Sequence, residues 1–272
     1  MANTTTSVSV AREPQLLEQT VVVIGGSAGI GLETARLARS EGADIVLTAR
    51  DPKRLEQAAR ELSARSTAAF DADDAAGVKR FFDELPAPID HVLVAAYTQR
   101  SHGPMLESTS EEVGQGVGRR VSQVLEIARY AVPKMRAGGT LLLTGGSERT
   151  FSREYGITPA AFSVLPPFTA ALALELAPVR VNLIQAAFVD TALAASSFAD
   201  DAAVEARRDE LRATLPIRRV VGPADIAALA VHLMTNTAIT GANIHLAAQG
   251  ERRQESTGRR HGEHNHQRLS RA

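Results

Sequence analysis

The first residues of this chain that could take part in chemistry are three glycines in one short motif. Gly25, Gly29 and Gly31 lie in VVVIGGSAGIG, residues 21–31, between an apolar run and a helical pattern. Glycine permits a tight turn and a close approach of the backbone to a ligand. The start of the following helix adds free N–H groups and partial positive charge. The motif therefore predicts a loop that binds phosphate groups, with a purely structural glycine turn as the alternative.

Three polar residues further along the chain could act on a bound molecule. Arg120 lies within a long helical pattern, Ser147 follows an apolar run, and Tyr155 lies in EYGITPAAF, residues 154–162. A phenol can donate a proton, and a hydroxyl group can orient a substrate, while a guanidinium can hold an anionic group. These are the candidate catalytic residues. Each has a structural alternative: an ion pair with a nearby Glu for Arg120, a turn for Ser147 and a packed ring for Tyr155.

The elements that must position these residues alternate along the chain. Apolar runs of strand length, rich in Val, Leu and Ile, alternate with helical patterns, which is typical of a parallel sheet with helices on both faces. The sequence predicts a single α/β domain built on a doubly wound parallel sheet of about seven strands. Pro166 and Pro167 predict a break in the helix over residues 158–178. The predicted strands are residues 20–26, 43–50, 66–73, 89–96, 138–146, 179–187 and 240–248.

The two ends of the chain differ in composition from the middle. We expect residues 1–18 to be a flexible N-terminal arm and residues 19–250 to be the folded domain. Residues 251–272 are polar and almost free of large apolar side chains, so we expect a disordered Arg/His-rich tail. Three histidines of this tail could bind a metal ion, but a solvated tail is the preferred interpretation and we predict no metal site: His261, His264 and His266.

Composition disfavours several classes of function. The 272 residues include no cysteine, which excludes disulfides, thiolate catalysis and Cys-ligated zinc and is compatible with a cytoplasmic location. The formal net charge of -1 gives no field that would draw the chain to nucleic acid or to a membrane surface. No apolar run is long enough to span a bilayer, and the polar start lacks the apolar core of a signal peptide. We therefore expect a cytoplasmic protein that acts on a small-molecule substrate.

Several segments together resemble the short-chain dehydrogenase/reductase family. They are the glycine motif of residues 21–31, followed by FDADD, LALELAPVRVN, VDTAL and PIRRVVGPADIAALAVHLMTNTAITGANIHL. The resemblance covers about residues 19–250. It implies a Rossmann-type sheet, a nicotinamide cofactor and commonly a dimer or tetramer, so we expect a homo-oligomer.

The resemblance also implies which residues contact the cofactor, and charge favours NADPH/NADP+. An acid at the end of the second strand would repel a 2′-phosphate, but this strand ends at Ala49 and is followed by Arg50, which can pair with one. Ser27 could add a hydroxyl group. Asp71 matches the family position that holds the adenine amino group, with a helix cap as the alternative, and Thr191 matches the threonine that meets the nicotinamide carboxamide. The full predicted set is Gly25, Ser27, Gly29, Ile30, Gly31, Arg50, Asp71, Ala96, Val189 and Thr191.

The residues that carry catalysis in this family are missing from their expected positions. Alignment from GGTLLLTGG and LALELAP places the family's tyrosine at Thr158 and its lysine at Phe162. The family's serine falls on Gly146 and its asparagine on Arg120. The chain therefore resembles a divergent subgroup that lacks the Tyr-x-x-x-Lys pair.

This gap suggests an unusual substrate. Reduction of a ketone develops charge on oxygen and benefits from a proton donor, whereas an iminium carbon is already electrophilic and hydride neutralises its nitrogen. We favour NADPH-dependent reduction of a cyclic iminium or hemiaminal, in specialised metabolism or detoxification. The alternatives are a ketoreductase with Tyr155 as a displaced acid, and an inactive dinucleotide-binding sensor or scaffold. The charge of Arg120 would oppose an adjacent iminium.

Two further polar residues, Tyr97 and His102, follow the fourth strand. They lie at the edge where such sheets bind ligands.

Overall fold

The structure of the chain is a computed structural model that describes residues 13–97, 105–146 and 158–247. These residues form one parallel sheet of seven strands in the order β3-β2-β1-β4-β5-β6-β7, which confirms the predicted fold. The strands are β1 (Thr20–Ile24), β2 (Asp44–Ala49), β3 (Ser66–Ala69), β4 (Ile89–Val94), β5 (Met135–Gly146), β6 (Arg180–Ala186) and β7 (Asn243–Leu246). The helices are α1 (Gly29–Ser40), α2 (Pro52–Leu62), α3 (Ala75–Glu84), α4 (Ser110–Ala131), α5 (Thr158–Ser163), α6 (Leu165–Glu175), α7 (Ala192–Ala195), α8 (Asp201–Thr214) and α9 (Pro223–Thr235).

Helices cover both faces of the sheet because the apolar side chains of each strand alternate between the faces. Val22 and Ile24 of β1 belong to a core cluster that includes residues of α3, α4 and α5. Val21 and Val23 belong to a second cluster, with residues of α1, α2 and α9. The central strands are thus buried on both sides, as their continuous Val, Leu and Ile runs predict.

The strand order reverses between β1 and β4, and this reversal positions the site. From β1 the chain proceeds outward through β2 and β3, then returns to form β4 on the other side of β1. The connections that follow β1 and β4 therefore diverge and leave a crevice between them at the carboxyl edge of the sheet. Open α/β sheets bind their ligands at such a crevice.

The end of the predicted N-terminal arm is folded. Leu16 is buried in the second core cluster, and its N–H donates a hydrogen bond of 2.9 Å to the carbonyl oxygen of Glu41. The predicted arm boundary at residue 18 is therefore too late, because this apolar side chain anchors the turn that precedes β1. Residues 1–12 of the arm, and the predicted tail of residues 251–272 with its three histidines, lie outside the described residues.

The helix predicted over residues 158–178 is divided. α5 ends at Ser163 and α6 begins at Leu165, so Pro166 and Pro167 lie in the first turn of α6. Proline is tolerated there, because the first N–H groups of a helix have no partner within it. The predicted break is present, and α5 lies as a separate short element against α4 and β5.

Neither a membrane span nor a metal cluster occurs in the described part of the chain. Within residues 13–97, 105–146 and 158–247, no helix combines the length and apolar character needed to cross a bilayer. These residues also bring together no group of three His, Cys, Asp or Glu side chains that could hold a metal ion. Many of their charged side chains form surface pairs instead, such as Arg36 with Glu61.

A buried histidine makes the stability of this fold depend on pH. His91 of β4 is buried, and its Nε2 lies 2.7 Å from Oε1 of Gln19. Burial, together with the positive charge of Arg180, lowers the pKa of His91 to about 3. Below its ordinary value of about 6.5, the unfolded chain binds a proton at this residue while the folded chain does not. Above about pH 6.5, His91 is neutral in both states and costs no stability. As the pH falls from about 6.5 toward 3, protonation of the unfolded chain lowers the free energy of unfolding by about 1.4 kcal/mol per pH unit.

We predict that His91→Gln flattens this pH dependence. The measurement is the free energy of unfolding in urea at several values between about pH 7 and pH 5. The exposed His232 of α9 is the matched control, since His232→Gln should keep the wild-type slope. A slope in His91→Gln that equals the wild-type slope would contradict the assignment.

Candidate active site

The loop between β1 and α1 closes tightly on the end of β4. Gly25 has a φ of +91°, and a Cβ atom there would lie 2.7 Å from the backbone nitrogen of Ala96. A Cβ atom at Gly31 would overlap the carbonyl oxygen of Gly25. Gly29, with a φ of +54°, begins α1, and Ala28 before it provides no side-chain cap. The N–H groups at this helix start therefore lack a side-chain acceptor, which is the arrangement that binds phosphate groups.

Charged side chains lie near the end of β2, where the carbonyl oxygen of Thr48 accepts hydrogen bonds from the N–H groups of Gly25 and Gly26 in the glycine loop. The guanidinium of Arg50 is exposed, and its Nη1 lies 3.9 Å from Oδ2 of Asp71. Asp71 also accepts a hydrogen bond of 3.0 Å from the N–H of Asp73. The cap of α3 is Asp74, so the helix-cap alternative for Asp71 is wrong. Ser27, in the glycine loop, is half-buried.

A cavity of about 180 Å³ opens at the carboxyl ends of β4, β5 and β6. Three predicted cofactor contacts line it: Ile30, Val189 and Thr191. Thr191 also caps α7, because its Oγ1 accepts a hydrogen bond of 3.1 Å from the N–H of Ala194. A Cβ atom at Gly29 would lie 3.5 Å from Cγ2 of Thr191. The glycine loop and the cavity are therefore two parts of one crevice.

Four aromatic rings form much of the cavity wall. Tyr97 and Phe162 pack with ring centroids 4.7 Å apart, and Phe188 and Phe198 pack edge to face with centroids 6.3 Å apart. The side chains that line this wall in the described part of the chain include no charged group. Phe188 was not among the predicted site residues, although its position just after a strand was a usable signal.

The ring of Phe162 lies over Gly146 at the end of β5. A Cβ atom at Gly146 would lie 2.9 Å from Cδ2 of Phe162, well inside the distance at which carbon atoms pack. The ring of Phe162 therefore occupies the space that a side chain at residue 146 would need. Thr158, at the start of α5, also lines the cavity. The predicted residues Ser147 and Tyr155, and also His102, lie outside the described residues.

Arg120 lies below two of these rings. It is 3% exposed, and its Cζ lies 5.8 Å from the ring centroids of both Tyr97 and Phe162. Its Nη1 donates a hydrogen bond of 3.1 Å to the carbonyl oxygen of Ala96, and its Nη2 donates to that of Thr144. The guanidinium therefore joins the carboxyl ends of β4 and β5. The predicted alternative, an ion pair with a nearby Glu, is not formed with any described residue.

The charge of Arg120 is only partly balanced. Its Nη1 also donates to Oε1 of Gln123, whose Nε2 donates a hydrogen bond of 2.7 Å to Oδ1 of Asp73. Its Nε has no hydrogen-bond partner within the described residues. Burial lowers the pKa of Arg120 to about 10, and its electrostatic interactions with Tyr97 and Asp73 oppose this effect. Arg120 is therefore a cation near neutral pH and produces a positive potential beneath the cavity.

Known proteins resemble this chain in sequence and in fold. A family model described as Enoyl-(Acyl carrier protein) reductase matches residues 25–248. The chain belongs to the short-chain dehydrogenase/reductase family. Dehydrogenase/reductase SDR family member 4 of Homo sapiens is 25% identical to it over 253 residues, which cover 88% of this chain and 89% of that protein.

Two solved structures resemble this short-chain dehydrogenase/reductase over most of its length. MalC Reductase/Diels-Alderase from Malbranchea aurantiaca has a TM-score of 0.78 at 21% identity, over 86% of this chain and 96% of that one. BdcA in complex with NADPH has a TM-score of 0.75 at 22% identity, over 87% of this chain and 96% of that one. At these identities, the likenesses establish the Rossmann-type fold.

The short helices after β6 close one side of the cavity in this short-chain dehydrogenase/reductase. Leu193 of α7 lines the wall, and Phe198 follows between α7 and α8. Arg208 of α8 donates two hydrogen bonds, of 3.1 and 2.8 Å, to the carboxylate of Asp190 in the loop after β6. This bidentate pair holds α8 beside the site.

We predict that Gly146→Ser destabilises the protein by about 1–3 kcal/mol, because its Cβ atom would meet the ring of Phe162. In a Phe162→Ala background, the same serine should add almost no further penalty. Unfolding free energies of the wild type, both single variants and the double variant give the coupling. Gly118→Ser is the control, since a Cβ atom there meets nothing within 4 Å. Equal penalties with and without the ring would contradict the contact.

Proposed function

We propose that this protein is an NADPH-dependent reductase that transfers hydride to a small-molecule electrophile, with a cyclic iminium or hemiaminal as the favoured substrate. The observation that carries the proposal is the contact between Phe162 and Gly146. By family resemblance, these positions belong to the lysine and the serine of the usual site, and Thr158 replaces the tyrosine. A phenylalanine and a glycine cannot tune or stabilise a proton donor. The site therefore favours an electrophile that does not depend on the family's usual acid.

The crevice fits a nicotinamide dinucleotide. A Cβ atom at Gly25 or Gly31 would clash with backbone atoms, so glycines keep this loop compact enough for a pyrophosphate to approach the backbone. The start of α1 would bind the pyrophosphate, Arg50 the 2′-phosphate, and Thr191 the nicotinamide carboxamide. When bound, the dinucleotide supplies the hydride. The structure of BdcA in complex with NADPH supports this choice of cofactor.

The cavity wall supports a substrate that carries rings or alkyl groups. Four aromatic rings line the cavity, and the described wall has no charged side chain. Such a wall binds apolar groups well and recognises phosphate or carboxylate groups poorly. The faces of aromatic rings also attract cations. These properties favour a cyclic iminium or hemiaminal over a small polar ketone.

The positive charge of Arg120 favours the hemiaminal over the iminium as the form that binds. Arg120 lies behind the rings of Tyr97 and Phe162, where it repels an isolated cation. A hemiaminal is neutral when it binds and avoids this repulsion on entry. We therefore favour a hemiaminal that loses water inside the cavity over an iminium that enters from solvent.

We also propose that the protein is a cytoplasmic homo-oligomer that serves specialised metabolism or detoxification. α6 presents apolar residues to solvent, with Leu174 84% exposed and Ala170 and Ala171 also exposed. Exposed apolar surface of this kind supports burial against another copy of the chain. The absence of cysteine is compatible with a reducing compartment.

We predict that Arg50→Ala weakens NADPH binding by at least about tenfold and leaves NADH binding within about twofold, because only NADPH carries the 2′-phosphate. Calorimetric titration with NADPH, NADP+, NADH and NAD+ measures both effects. Arg54→Ala, which removes another exposed arginine nearby on α2, is the matched control. If the wild type bound none of the four dinucleotides, the reductase function would be ruled out.

We predict that Tyr155→Phe changes the rate of NADPH oxidation with a cyclic iminium or hemiaminal by less than about threefold, because this reaction does not use Tyr155 as its acid. A loss of about a hundredfold, typical of a removed general acid, would favour the ketoreductase alternative. Dinucleotide binding without turnover on any imine, hemiaminal or ketone would favour the sensor alternative.

A further inference from the structure

Tyr97 lies where the cavity meets the buried cation. It follows β4 and lines the cavity beside Phe162. The Cζ atom of Arg120 lies 5.8 Å from its ring centroid. The ring of Tyr97 therefore borders both the cavity and the guanidinium beneath it.

Tyr97 also carries the strongest acid on the described wall. The other hydroxyl groups there belong to threonines: Thr144, Thr158 and Thr191. Thr144 donates its hydroxyl proton to the carbonyl oxygen of Val94 at 3.0 Å, and Thr191 caps α7. Aliphatic alcohols do not ionise in the range of proteins, whereas a phenol has an ordinary pKa of about 10. A proton donor on the described wall is therefore best supplied by Tyr97.

Arg120 provides the charge that a phenolate needs beside it. Its guanidinium is buried and fixed by the carbonyl oxygens of Ala96 and Thr144. A buried positive charge favours the ionised form of a neighbouring acid. The charged groups that face Tyr97 from the described elements are Arg120 of α4 and, behind Gln123, Asp73; α5 and β5 present only uncharged side chains to the cavity.

We propose that Tyr97 is the proton donor of this site and that Arg120 is the positioning residue that stabilises its phenolate. The inference rests on the proposed function and names the acid for it. In the proposed arrangement, a tyrosine after β4 and an arginine on α4 take the place of the family's tyrosine and lysine, which lie on one helix.

The proposed step balances as a dehydration. The O–H bond of Tyr97 breaks and its proton passes to the hydroxyl oxygen of the hemiaminal. The C–O bond breaks, water leaves, and the nitrogen lone pair forms the C=N bond of the iminium. The products are the iminium, water and the phenolate of Tyr97, which recovers its proton from solvent after reduction.

This step also removes the electrostatic objection to an iminium. Before proton transfer, the positive charge of Arg120 faces a neutral hemiaminal. After transfer, the phenolate and the guanidinium form a neutral pair, so the new cation no longer faces an unbalanced positive charge. The iminium therefore forms together with the phenolate that balances the charge of Arg120.

The first test is spectroscopic and needs neither cofactor nor substrate. The full chain has three tyrosines. The ultraviolet titration curve of Tyr97→Phe, subtracted from that of the wild type, isolates the ionisation of Tyr97. We expect its midpoint at least about one pH unit below the ordinary value of about 10. Arg120→Gln should raise the midpoint by at least about one pH unit, and Arg120→Lys should keep it low. Tyr130→Phe is the matched control and should leave the difference titration unchanged.

A second variant keeps the test open if Arg120→Gln does not fold. Asp73 is exposed and is linked to Arg120 by hydrogen bonds through Gln123. Asp73→Asn removes a compensating negative charge, so it should lower the midpoint of Tyr97. An ordinary midpoint that neither substitution moves would overturn the pairing of Tyr97 with Arg120.

The second test is kinetic and separates dehydration from reduction. Tyr97→Phe should slow NADPH oxidation with a cyclic hemiaminal by about a hundredfold or more. It should leave NADPH binding within about twofold, and it should slow the reduction of a preformed N-alkyl iminium far less than hemiaminal reduction, because that reaction needs no dehydration. Full hemiaminal activity in Tyr97→Phe would overturn the role as donor. If no dinucleotide binds the wild type, the proposed function fails instead, and the titration still decides the Tyr97–Arg120 pair.

Discussion

The guanidinium of Arg120 is a buried cation whose hydrogen bonds go to main-chain carbonyl oxygens at the ends of β4 and β5. Burying a charge is costly unless polar partners replace water, and here two strand ends and Gln123 do so. The same contacts fix the carboxyl edge of the sheet where the cavity opens. They also place a positive charge beneath an otherwise uncharged wall. Both the shape and the electrostatics of the site therefore depend on this residue.

The aromatic rings above Arg120 make several positions of the site depend on one another. Phe162 fills the space over Gly146, so a larger side chain at residue 146 would have to displace the ring at residue 162. Tyr97 packs against Phe162, and both rings lie over the guanidinium. A change at any one of these residues would therefore disturb the packing of the others. The half of the crevice that contains the glycine loop is built from other residues.

The two halves of the crevice differ in how well local sequence could reveal them. The contacts of the glycine loop follow from backbone sterics within one β–α unit, so Gly25, Gly29 and Gly31 could be recognised from spacing. The chemical half depends on side chains from β4, α4, β5, α5 and the loop after β6. Arg120 illustrates the difference: the predicted alternatives were a ligand contact or an ion pair with Glu, but its observed partners are carbonyl oxygens 24 residues away on either side.

The sequence by itself determined the seven-stranded α/β fold, because strands buried on both faces require continuous apolar runs and their crossovers require amphipathic helices. It also determined the glycine loop and the helix break at Pro166 and Pro167. Only the tertiary structure decided that Leu16 anchors the arm, that Phe162 lies over Gly146, and that Tyr97 lies above Arg120. These contacts join residues distant along the chain, and packing in three dimensions selects them rather than any local preference.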